Sequence, residues 1–256
     1  QVWLNAYGQI FFSLSIGFGV MITYSSYLPK RSDLSNNALI VAFTNSSVEF
    51  LAAIAIFGAL GFLATINGVQ VEDVVQSGIV LAFVIFPQII NQLPAFNELF
   101  GLIFFGALFV AGITSVISMA EVCVSALLDK FALSRRQAVS WIIGVGFVCS
   151  ILYTTNAGLG YLDLVDRFIN NYSVILAGLL EVMILGWVFK LSVFREFVNN
   201  RSDLKIGVWW DFCIKVITPS VLLFMLVYNL YQELFVSPYG NGAYTTGQLI
   251  LFGWSV

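Results

Sequence analysis

Asn45 and Glu49 stand four residues apart in "FTNSSVEF", so a helix would carry both on one face. The surrounding run is apolar enough for a membrane, where a carboxyl is costly and marks a function by default. The competing reading is a protonated Glu49 hydrogen-bonded to a neighbouring helix. "AGITSVIS" supplies Thr114, Ser115 and Ser118. Their hydroxyls, with backbone carbonyls, suit a hard cation such as sodium, although such side chains commonly bond back to their own helix. "SLSIGFG", Ser13 to Gly19, breaks an apolar run with two glycines and two serines. In lipid an unpaired amide or carbonyl costs several kcal/mol, so open backbone survives only inside protein or along a wet cavity. The stretch therefore predicts either a discontinuous helix whose freed peptide groups bind a polar solute, or glycines that let helices pack closely. Glu121 and Glu181 also fall within apolar runs and are expected to be packing groups kept neutral by burial.

Other chemistries are closed off. The chain has no histidine, which removes imidazole metal sites and histidine proton relays. Cys123, Cys149 and Cys213 are far apart in apolar segments and suit neither a zinc site nor a disulfide framework. The net charge of −3, with basic residues in short separate clusters, gives no sign of nucleic-acid binding.

The elements that hold these residues are membrane helices. Only 10% of the residues are charged, against about a quarter in soluble domains, and mean hydropathy is +0.93. Spans of about 20 apolar residues are expected near 3–28 (broken near 13–19), 38–66, 99–127, 138–155, 172–191 and 206–234, with a further span beginning at 247–256. The stretch 70–95 contains Pro87 and Pro94 and is expected to form an external helical hairpin.

Charge placement sets the orientation. Lys30 and Arg31, then Lys130, Arg135 and Arg136, then Lys190, Arg195, Arg201 and Lys205 fall in alternate loops, whereas the intervening loops hold only Arg167. Basic loops face the cytoplasm, which puts Gln1 toward the outside of a cell (inner) membrane. Both ends read as cut, so a piece of a longer protein is expected.

Four stretches carry a family resemblance. "GQIFFSLSIGFGVMITYSSY" resembles the sixth helix of the neurotransmitter:sodium symporter family, "FTNSSVEF" its seventh, "AGITSVIS" its eighth and "LDLVDRFINNYSVILAGLLEV" its tenth. The match runs in order over nearly the whole chain and points to the bacterial amino-acid type. Broken helices and inverted repeats belong to such transporters.

The resemblance implies an all-α membrane protein without enzymatic chemistry. It would comprise the second inverted repeat of the five-plus-five helix fold plus the following helices, with a discontinuous first helix, partnered by an N-terminal five-helix half. Carbonyls of Phe12, Ser13 and Ser15 would receive the substrate's ammonium group. Phe12, Ser15, Phe18, Ser115 and Met119 would line the side-chain pocket, with Phe12 as its lid. One sodium site would use Ser13 and Asn45, the other Ala111, Thr114 and Ser115, each completed by residues absent from this chain. Asp166 resembles the acid of an outer gate and Asp129 that of an inner gate, near Ser26 and Tyr27.

At the position of Glu49, chloride-dependent members carry a serine, beside residues matching Gln9, Ser13 and Asn45. The expectation is sodium-coupled symport of a neutral, hydrophobic amino acid by alternating access. It would be independent of chloride and would use Glu49 for proton counter-transport. The rivals are an ion channel or non-transporting membrane subunit, and a proton-driven transporter on the same scaffold.

Overall fold

A computed structural model describes residues 2–74, 78–93, 95–236, 239–240 and 244–255. Helices account for all the regular structure among them. Besides a single turn at Val71–Val74, they are α1 (Val2–Ser13), α2 (Val20–Ser26), α3 (Leu34–Asn67), α4 (Gly78–Asn91), α5 (Asn97–Lys130), α6 (Arg135–Tyr153), α7 (Gly158–Val188), α8 (Leu191–Asn199), α9 (Val208–Val236) and α10 (Thr246–Leu249, continued by Ile250–Trp254). Among the described residues, α3, α5, α6, α7 and α9 are long and apolar enough to cross a membrane. Residues 75–77 and 94 of the expected hairpin and residue 256 of the expected last span lie outside the described residues.

The chain divides into two compact units, Val41–Ile117 and the remainder, Gln1–Ile40 with Ser118–Val256. In Val41–Ile117, α4 packs on α3 through Ile85 and Ile89 against Leu60 and Leu63. The ring of Phe86 stacks on Phe104 of α5 with centroids 4.5 Å apart. In the other unit, Phe11 of α1, Val174, Ile175 and Leu179 of α7, and Leu222 and Met225 of α9 form one cluster. Leu164, Phe168 and Tyr172 of α7 pack on Leu249 of α10 in another.

Two π turns have a cause in the sequence. Leu81–Ile85 precedes Pro87, and Cys213–Ile217 precedes Pro219, at the same offset. Proline has no N–H to donate and its ring collides with the carbonyl four residues back. Widening the preceding turn to i→i+5 relieves the collision without ending the helix.

Helix starts are set by polar groups that hydropathy overlooks. α6 begins at a capping box, in which Ser134 Oγ accepts from the Gln137 N–H and Gln137 Oε1 accepts from the Ser134 N–H. α7 begins at Gly158, well before residue 172, because Asp163, Asp166 and Arg167 extend the helix with their own partners instead of ending it.

A polar clasp joins the start of α3 to the loop before α9. Asp33 Oδ2 accepts from the Asp203 N–H at 2.9 Å and its Oδ1 from the Asn36 N–H at 3.0 Å. Ser202 Oγ accepts from the Ser35 N–H at 3.0 Å. The Asp203 amide, then that of Asn36, holds the Asp33 carboxyl below its ordinary range. A depressed folded value contributes stability above the unfolded pKa, lost as pH falls through the folded one. Asp33→Ala should therefore lower the melting temperature of the full-length transporter between about pH 5 and 8 and lose that effect below about pH 4. Melting curves of both forms across pH check this.

Candidate substrate and ion site

The interruption between α1 and α2 is built from left-handed backbone. Ser15, Gly17 and Gly19 have φ of 54°, 82° and 73°. Glycine adopts such angles without strain, whereas Ser15 is a side-chain-bearing residue held there. Helical pairing fails in steps. The Leu14 N–H still reaches the Ile10 carbonyl at 3.1 Å, but the Ser15 N–H falls back to Phe12 (2.9 Å) and the Ile16 N–H reaches Phe11 (3.3 Å). Pairing resumes with the Thr23 N–H on the Gly19 carbonyl at 3.0 Å. Among the described residues, no backbone N–H donates to the carbonyls of Leu14, Ser15, Ile16, Gly17 or Phe18. Five acceptors in one short turn are therefore available to a cationic or hydrogen-bond-donating ligand.

The rings of Phe12 and Phe18 flank this turn, 5.7 Å apart and nearly perpendicular. Of the carbonyls expected to take an ammonium, that of Phe12 already accepts from the Ser15 amide and keeps one lone pair, and that of Ser15 accepts from no described amide. Ser13 Oγ donates to the Ile10 carbonyl at 3.3 Å. Gln9 lies on α1, exposed.

The remaining ligand candidates sit on α3 and α5. Asn45 Nδ2 donates to Glu49 Oε1 at 3.1 Å, one turn along α3. Ala111, Thr114 and Ser115 share a face of α5, and Thr114 Oγ1 donates to the Ala111 carbonyl at 2.9 Å. That back-bond must open if both oxygens are to ligate one cation. All these residues fall in Val41–Ile117, whereas Ser13, Phe12, Phe18 and Met119 belong to the other unit.

Two polar clusters surround the expected gates. At the end of α2, Ser26 Oγ donates to the Thr23 carbonyl at 2.6 Å. Tyr27 O–H donates to Glu121 Oε1 at 2.6 Å and lies 3.0 Å from Ser125 Oγ. Arg135 of α6 donates to Glu121 Oε2 at 2.7 Å. Tyr24 O–H lies 2.5 Å from Ser118 Oγ. The expectation of a neutral packing group at Glu121 is thus corrected. A guanidinium and a phenol each engage one carboxylate oxygen, which favours the ionised form. Tyr27 bonds to Glu121 and not to Asp129, which is exposed at the end of α5. The spacing of Ser118, Glu121 and Ser125 along one α5 face was the sequence signal for this cluster.

At the start of α7, Asp163 accepts from Tyr239 O–H (2.9 Å) and Tyr244 O–H (2.7 Å). The hydrogen bond to Asp163 pushes the Tyr244 phenol up to about 12. Arg167 lies over the Tyr239 ring, 5.2 Å from its centroid. Asp166, the expected outer-gate acid, accepts from Asn170 Nδ2 at 2.8 Å.

Comparison with known proteins identifies the scaffold. The model of the sodium:neurotransmitter symporter family matches residues 1–255. An uncharacterised sodium-dependent transporter of Methanocaldococcus jannaschii is 44% identical, over 99% of this chain and 51% of its own length. The sodium-dependent nutrient amino acid transporter 1 of Drosophila ananassae is 31% identical, over 94% of this chain and 39% of its own. The sodium- and chloride-dependent neutral and basic amino acid transporter B(0+) of Mus musculus is 32% identical, over 90% and 37%. The chain thus spans about half, or less, of the length of the curated relatives it matches. It belongs to the sodium:neurotransmitter symporter family, and five of its described helices are long and apolar enough to make it a multi-pass membrane protein.

Proposed function

We propose that this chain forms the second half of a sodium-coupled symporter for a neutral, hydrophobic amino acid, working by alternating access. An N-terminal five-helix half would supply the remaining ligands of two sodium ions. The carbonyls unpaired among the described residues at Leu14–Phe18, flanked by the rings of Phe12 and Phe18, carry this reading. Carbonyl oxygens suit an ammonium group, and aromatic walls suit an apolar side chain over a charged one. Ser13 and Asn45 would contribute to one sodium site, and Ala111, Thr114 and Ser115 to the other. Phe12 would close over the substrate, with Ser115 and Met119 completing its pocket.

The carboxyl of Glu49, which accepts from Asn45, would serve with Gln9 and Ser13 as the counterpart of a chloride site, the fixed anion that replaces chloride, and would carry a proton on the return step. Asp166 would act in the outer gate; Asp129, Ser26 and Tyr27 would act in the inner one. Binding of radiolabelled leucine to the purified full-length transporter, titrated with sodium against potassium, tests the core of the proposal. Sodium should tighten binding about tenfold or more, within the usual range of coupling between sites. Equal binding in potassium would favour the proton-driven alternative, and conductance without substrate coupling would favour a channel.

A further inference from the structure

The opened turn is seated on α7 by a pair of glycines that face opposite ways across one contact. A Cβ placed on Gly17 would lie 2.7 Å from the Val174 carbonyl oxygen and 3.2 Å from Val174 Cγ1. A Cβ placed on Gly178, one turn further along α7, would lie 2.5 Å from Phe11 Cζ. Neither site has room for a methyl group without displacing backbone or a buried ring, because Phe11 is only 7% exposed. Gly17 therefore serves both readings of "SLSIGFG": it takes a left-handed φ, and it lets two backbones touch.

The two anchors bracket the turn. Phe11 places its ring in the Gly178 notch, and its carbonyl accepts from the Ile16 N–H at 3.3 Å, closing the reversal. Gly17 fixes the far side of the same loop on Val174. The flanking rings belong to Phe12 and Phe18, each the next residue after an anchor. The seat on α7 thus sets the spacing of those rings and the direction of the carbonyls between them.

We infer that Gly178 and Phe11 are positioning residues for the substrate turn, acting without touching substrate. This deepens the function proposed above and rests on it for the identity of the ligand. The test uses the full-length transporter with leucine in saturating sodium, together with hydrogen–deuterium exchange of the Leu14–Phe18 amides without ligand. Gly178→Ala overpacks the notch and should weaken leucine binding about tenfold or more, with faster exchange in the turn. Phe11→Leu removes the ring and should weaken binding about threefold. In the double variant, Gly178→Ala should add nothing to Phe11→Leu, because the methyl group then has space.

If Gly178→Ala does not fold, the comparison of Phe11→Leu with the double variant still decides, since both should fold and behave alike. Additive losses, or Gly178→Ala with wild-type binding and exchange, would overturn the inference. If wild type binds no leucine yet the exchange pattern holds, the ligand assignment fails and the positioning role stands.

Discussion

Glu49→Ser should convert the full-length transporter from chloride-indifferent to chloride-dependent uptake. The Glu49 carboxyl accepts from Asn45 Nδ2, and on the function proposed above it would stand in for an anion beside a residue that ligates sodium. Opposite unit charges about 4 Å apart attract by roughly 4 kcal/mol at an effective dielectric constant of 20. Losing that attraction should lower uptake in chloride-free medium by about a hundredfold or more, after discounting for relaxation and water entry. Chloride should restore most of the loss, because the serine vacates the volume and leaves the Asn45 amide as donor.

Glu49→Gln separates charge from space. Its carboxamide can still accept from Asn45 but fills the cavity, so uptake should fall as far and chloride should rescue it poorly. Radiolabelled amino-acid uptake in proteoliposomes, with gluconate in place of chloride, reads all three forms. Chloride-insensitive uptake by the serine variant would remove Glu49 from this role.

Local rules made the all-helical fold and the break legible. Gly17 and Gly19 announce positive φ because other residues avoid it. Pro87 and Pro219 lack a donor and widen the turns before them, which the expected hairpin and span did not include. Ser15 gave no such sign, since its left-handed angle is imposed by closure of the loop between the Phe11 and Gly17 anchors. The start of α7 was misjudged for a related reason. Hydropathy discounts charged residues, yet Asp163 accepts from Tyr239 and Tyr244 and Arg167 lies over the Tyr239 ring, partners distant in sequence. The state of Glu121 depended on Arg135, brought back to it by the turn between α5 and α6, which no residue pattern within α5 encodes. Gly178, unremarked in the sequence, acquires meaning only when the Phe11 ring lies against it.

The Glu121 cluster leads to an expected opening at the end of α2. Tyr27 ties the end of α2 to α5 alongside the Tyr24–Ser118 contact, whereas Arg135 joins α5 to its neighbour α6. A hydrogen bond to a charged acceptor contributes about 1.5–3 kcal/mol. The ion pair contributes less, because the Arg135 side chain is 61% exposed and screened by solvent. Tyr27→Phe should thus bias α2 toward the released state by about 1–2 kcal/mol, a factor of roughly 5–30.

Thr23, 8% exposed and bonded to Ser26 through its carbonyl, offers a reporter. In a background with Cys123, Cys149 and Cys213 replaced by alanine, Thr23→Cys should react with a soluble thiol reagent about 5–30 times faster when Tyr27 is phenylalanine. Glu121→Gln should accelerate it less, because a carboxamide oxygen still accepts from the phenol. Arg135→Ala should accelerate it least, because it leaves the tyrosine tie in place. Equal rates in wild type and Tyr27→Phe would mean that the phenol does not restrain α2. A larger effect from Arg135 than from Tyr27 would place the restraint at α6 instead.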